Sequence, residues 1–100
     1  MHERIKVDEI LNKAMAVSDE ERRVRKDIEQ FDESIAEVEA MELDATMREN
    51  VGRARNYRKD AEYFLCKGDP YTAWGTINYA HGILDAVRRQ LGLKCYGALE

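Results

Sequence analysis

The sequence holds one proline and six glycines in 100 residues, and nowhere alternates β-branched with polar residues over a strand's length. Both scarcities point away from sheet and toward uninterrupted helices. The longest apolar runs are only a few residues, which excludes a membrane-spanning helix. Met1-His2-Glu3-Arg4 lacks a basic region followed by an apolar stretch, so no secretory signal is expected. Cysteine occurs twice, at Cys66 and Cys95, too few for a disulfide framework and without Cys-x-x-Cys spacing. A reducing, cytoplasmic setting is the expectation, with Cys66 a small buried hydrophobe inside a helical pattern. Histidine also occurs only twice, at His2 and His81; there is no His-Glu-x-x-His and no glycine-rich phosphate loop. An enzyme is therefore not expected, nor is a cofactor.

What is present is charge and helical periodicity. The chain is 44% apolar and 36% charged, a mixture suited to amphipathic helices with solvated outer faces. Around Gly68-Asp69-Pro70 two patterns run outward almost symmetrically. Upstream, apolar or small residues fall at Met47, Val51, Ala54, Tyr57, Ala61, Phe64 and Leu65. Downstream they fall at Ala73, Trp74, Ile77, Ala80, Leu84, Val87 and Leu91. Spacings of three and four across so short a turn predict two antiparallel helices packed on each other. Gly68 suits a left-handed C′ position, Asp69 an N-cap and Pro70 the first helical turn. Gly92-Leu93 repeats the stop signal, and Thr46-Met47-Arg48-Glu49 reads as a capping box for the upstream helix. Gly75 and Gly82, one heptad apart, are expected where a facing helix comes close, with a ligand cleft as the alternative.

The first forty-five residues carry a heptad register. Val7, Ala14, Glu21, Ile28, Ile35 and Glu42, with Ile10, Val17, Val24, Phe31, Val38 and Ala45, give ten apolar positions of twelve. This leaves open one helix of about 40 residues, roughly 60 Å long, or a break near 17–19, where Ser18-Asp19-Glu20-Glu21 forms another capping box. The predicted fold is all-α, an up-and-down three-helix bundle over about 20–43, 46–67 and 70–91. An additional N-terminal helix covers about 3–17, continuous with the first long helix or separate from it. Residues 1–100 then form a single helical domain, with an extension at 1–17, a core hairpin at 46–92 and a tail at 93–100.

Two surfaces follow. The stripe Ile5, Ile10, Leu11, Ala14 and Val17 must fold back or bury against another molecule, because a soluble chain avoids exposing it. Self-association or contact with another protein is therefore the expected activity, without a membrane. Tyr57, Asp60, His81 and Asp85 form the one credible polar constellation, since position 60 falls opposite about 77 in a hairpin turning at 68–69. It suggests a small-molecule or metal site between the hairpin helices, against the plainer reading of a solvated pair with one inter-helix bond such as Asp85 to Arg53.

Charge is uneven. Asp27 to Asp44 holds eight acids and no Lys or Arg, whereas Thr46 to Lys67 holds six bases against three acids. Adjacent antiparallel helices of opposite sign would neutralise each other. Nucleic-acid binding through Arg53, Arg55, Arg58 and Lys59 is accordingly not expected, also because the net charge is −4.

The ordered string Asp60-Ala61-Glu62-Tyr63-Phe64-Leu65, Gly68-Asp69, Ala73, Ile77 and Tyr79-Ala80-His81-Gly82-Ile83-Leu84-Asp85-Ala86 resembles domain-of-unknown-function family 357, a mainly archaeal group. The resemblance covers about residues 20–92. It implies an all-helical bundle, archaeal and cytoplasmic, and carries over no activity. Tyr57, Ala61, Phe64, Gly68, Asp69, Ala73, Ile77 and Ala80 are also similar in spacing to a tetratricopeptide hairpin. No second copy follows, so this reads as convergence on tight helix pairing.

Overall fold

The computed structural model describes residues 18–96. Three α-helices follow in order, α1 (Asp19–Glu39), α2 (Ala45–Cys66) and α3 (Pro70–Gln90), and there is no strand among the described residues. The expected helix over 3–17 and its stripe Ile5, Ile10, Leu11, Ala14 and Val17 lie outside the described residues.

Each helix starts where a short polar side chain satisfies a free backbone N–H. Ser18 accepts from the amide of Glu21 at 3.1 Å, so the expected break near 17–19 is present as an extended N-cap at Ser18. Asp44 accepts from Met47 at 2.8 Å and starts α2. The expected cap at Thr46 is thus corrected by two residues, because the carboxylate of Asp44 reaches the free amide first. α1 also stops at Glu39 rather than about 43, leaving residues 40–44 to turn the chain.

The two stop signals form as read. Gly68 and Gly92 have φ of 80° and 78°. Asp69 N–H bonds to Phe64 and Gly68 N–H to Leu65, while Leu93 N–H bonds to Arg88 and Gly92 N–H to Arg89. These paired reverse bonds close each helix with the left-handed residue that only glycine adopts without strain. Asp69 then caps α3 through Thr72 at 3.1 Å, with Pro70 in the first turn.

The heptad positions of α1 (Val24, Ile28, Phe31, Ile35 and Val38) pack with Val51, Ala54, Ala61 and Leu65 of α2 and Ala73, Ile77, Ala80, Leu84 and Val87 of α3. Full burial of a side chain such as Phe31, Ile77 or Leu84 contributes about 1.5–3 kcal/mol. α3 packs against both neighbours, whereas α1 and α2 touch each other far less. Charge joins those two instead: Arg58 forks onto Asp32 with two 2.9 Å bonds, and Arg55 pairs with Glu39. The predicted charge complementarity of the two helices is therefore present at these two ion pairs.

Three expectations are corrected. Trp74 is half exposed rather than in the core, since Ala73 and Ile77 already fill the inward face of that turn. Cys66 is exposed at the last residue of α2, because the inward position of that turn is taken by the buried Leu65. Finally, a Cβ added to Gly75 or Gly82 would meet nothing within 4 Å, so no facing helix among the described residues accounts for either glycine.

Candidate interaction surface

The expected constellation of Tyr57, Asp60, His81 and Asp85 is divided between two grooves on opposite sides of α3. Tyr57 and Asp60 line the groove between α2 and α3, a space of about 670 Å³, with Phe64, Tyr71, Trp74 and Tyr79. Tyr57 and Tyr79 meet edge to face there, their ring centres 4.7 Å apart. His81 and Asp85 line the other groove, of about 610 Å³, with Asp27 and Gln30 of α1. The prediction placed position 60 near 77 in height along the hairpin. It could not fix rotation about α3, and that rotation turns His81 toward α1.

The second groove is held by hydrogen bonds that sequence alone does not show. His81 Nε2 lies 2.9 Å from the carbonyl of Asp27, which can only accept, so Nε2 carries the proton. Its Nδ1 is buried without a partner, and the ring meets the edge of Phe31 at 5.5 Å. Burial raises the Asp27 carboxyl above the ordinary aspartate range, with the nearby positive charges of Arg23 and Lys26 among the opposing influences. Asp85 accepts from the amide of Tyr96 at 3.0 Å rather than from Arg53, whose guanidinium reaches Asn50 on its own helix.

Arg88 anchors the segment after α3. Its guanidinium donates to the carbonyls of Ser34 and Lys94 at 3.1 and 2.5 Å, pairs with Glu37 at 2.7 Å, and lies 4.5 Å from the centre of the Tyr96 ring. These contacts place residues 94–96 over the end of the groove between α1 and α3. Among the described residues, no group of three or more His, Cys, Asp or Glu is arranged to hold a metal. The basic side chains of α2 are partly committed: Arg58 to Asp32 and Glu62, Arg55 to Glu39.

Between the grooves runs the outer face of α3. From Pro70 to Leu84 there are fifteen residues without one Asp, Glu, Lys or Arg, in a chain that is 36% charged. Its inward positions are buried. Its outward positions are Tyr71, Trp74, Gly75, Asn78, Tyr79 and Gly82. Tyr71 is 78% exposed, Trp74 50% and Tyr79 52%. The usual solvated face of a helix is charged; this one is aromatic and small. The signal was legible as a gap in the charge pattern, but reading Trp74 as core hid it.

Residues 21–93 match the model of a family described as a protein of unknown function (DUF357), and the chain belongs to that family. No curated protein matches the chain significantly.

Proposed function

We propose that the protein is a non-enzymatic helical module that works through protein–protein contact, with the outer face of α3 as its contact surface. The observation that carries this reading is the uncharged run from Pro70 to Leu84 with Tyr71, Trp74 and Tyr79 on its solvent side. Charged residues are depleted at the centres of protein interfaces, and Tyr and Trp supply much of their binding energy. The competing chemistries have fewer free groups: His81 and Asp85 are hydrogen-bonded within the fold, and Arg55 and Arg58 are ion-paired. The partner is a second copy of the chain or another protein of the cytoplasm, and the stripe Ile5, Ile10, Leu11, Ala14 and Val17 extends the same contact function.

The test is affinity capture from lysate of the source organism with three tagged full-length chains: wild type, Tyr71→Ser/Trp74→Ser, and a Glu29→Ser control. A protein retained by wild type and control but lost with the double variant, a second copy included, supports the reading. Identical captures with all three overturn it.

A second reading is favoured by the groove between α2 and α3, where five aromatic side chains surround one acid, Asp60. A small organic molecule bound there would raise the unfolding midpoint in a thermal-shift screen, because it binds only the folded chain.

A further inference from the structure

Gly75 and Gly82 stand one heptad apart on the solvent side of α3, and a Cβ on either would meet no atom within 4 Å. The described residues make no packing use of them, yet a helical glycine costs up to about 1 kcal/mol relative to Ala. Small residues seven apart permit two nearly aligned helices to approach closely. We propose that this face docks on the same face of a second copy, the two α3 helices antiparallel about a two-fold axis beside Asn78. The proposal rests on the reading of that face as a contact surface.

The sequence of the face is self-complementary in this arrangement. With the axis midway between positions 78 and 79, Gly75 of each copy falls opposite Gly82 of the other. Tyr71 falls opposite Ala86, a bulky side chain over a small exposed one, and a two-fold interface makes each match twice. A shift of one heptad would set Tyr71 against Tyr79 or Gly75 against Arg89. Asn78 lies half a residue from the axis, close enough to meet its own copy, where its amide offers donors and an acceptor; a buried Asn fixes register between paired helices. No Asp, Glu, Lys or Arg lies between Pro70 and Leu84, so the apposed centre brings no like charges together.

Tyr71, Trp74 and Tyr79 alone leave about 350 Å² of surface in water at their observed exposures. That is a large share of the roughly 800 Å² per partner that a standard interface buries, and Thr72, Gly75, Asn78, Gly82 and Ala86 are exposed beside them.

The experiment is sedimentation velocity on the full chain across the micromolar range, with Gly82→Leu, and with Asn78→Cys and Glu29→Cys in a Cys66→Ser/Cys95→Ser background. Wild type is expected to sediment at twice the 11.6 kDa chain mass. In Gly82→Leu the new Cβ meets open space and helix propensity improves. It should raise the unfolding midpoint of the dilute monomer while weakening association by about tenfold or more. These opposite signs separate a lost interface from a damaged fold. Asn78→Cys should oxidise to a covalent dimer much faster than Glu29→Cys, which lines neither groove.

A chain that stays monomeric overturns the proposal, including a monomer whose α3 face is covered by its own residues 1–17. A dimer indifferent to Gly82→Leu, without preferential cross-linking at Asn78, overturns it equally. In either case a different protein lost with Tyr71→Ser/Trp74→Ser would still uphold α3 as a contact surface, so the two failures are distinguishable.

Discussion

Replacing Arg88 by Met should destabilise the fold by about 2–3 kcal/mol, and the asymmetry of its environment explains the size. The Arg88 side chain is 3% exposed, whereas that of its ion-pair partner Glu37 is 54% exposed. Removing the guanidinium lets Glu37 hydrate freely, so no charge is left buried and the larger penalty of a broken interior pair does not arise. What disappears is a pair of charge-assisted bonds to the carbonyls of Ser34 and Lys94, together with the contact over the Tyr96 ring. Bonds to a charged group contribute about 1.5–3 kcal/mol each. Relief of guanidinium desolvation and the matching apolar volume of Met offset part of the loss. At roughly 4–8 °C per kcal/mol for a domain of this size, the midpoint should fall by about 10–20 °C. Circular dichroism melts and urea titrations measure it. Glu37→Gln is the internal control and should cost below about 1 kcal/mol, since one partner is solvated. An Arg88→Met chain within about 0.5 kcal/mol of wild type, the noise of a surface substitution, would refute the reasoning. So would Glu37→Gln matching its loss.

Arg58→Lys keeps the charge but loses the two-pronged bond to Asp32, so urea titration should show a loss of about 1 kcal/mol that added salt does not abolish. Asp27→Asn should melt above wild type at neutral pH. Because burial raises the folded-state pKa of Asp27, its ionised form weighs against the fold above that value. The gap should therefore close as pH falls toward 3.8, and a gap that widens on acidification would contradict the assignment. Asp69 behaves oppositely: its hydrogen bonds from Thr72 lower its carboxyl, so its contribution is present above 3.8 and fades as pH drops through the depressed folded value. Melts below pH 4 should show Asp69→Asn, which keeps a capping oxygen, losing less stability on acidification than wild type.

The elements easiest to read from sequence were those fixed by local chemistry. Gly68-Asp69-Pro70 specifies a left-handed stop, a cap and a first turn within three residues, and each takes its expected place. Ser18 likewise marks its helix start by a short-range bond. Asp44 was missed because two capping signals lie two residues apart, and only three-dimensional reach decides between them. The polar constellation failed differently. Heptad spacing fixes height along a hairpin but leaves rotation uncertain by a fraction of a turn, enough to send Tyr57 and Asp60 to one groove and His81 to the other. The Arg88 cluster was illegible because its partners are largely backbone carbonyls of residues 34 and 94, and a carbonyl has no sequence signature.

The division of labour among the helices makes the uncharged face of α3 more informative than its area alone. α1 and α2 touch little and hold each other through exposed ion pairs, so their charged surfaces already serve the fold. α3 is gripped from both sides by apolar contact and needs no charge to be positioned. Apart from the contact of Tyr79 with Tyr57, its solvent face carries little of that packing. A face under no structural demand would be expected to drift toward the charged composition of the other two, since solubility favours it. Instead it carries Trp74, two exposed tyrosines and two helix-weakening glycines that no neighbour among the described residues requires. The proposed contact with another protein surface would account for the aromatic rings and the glycines together.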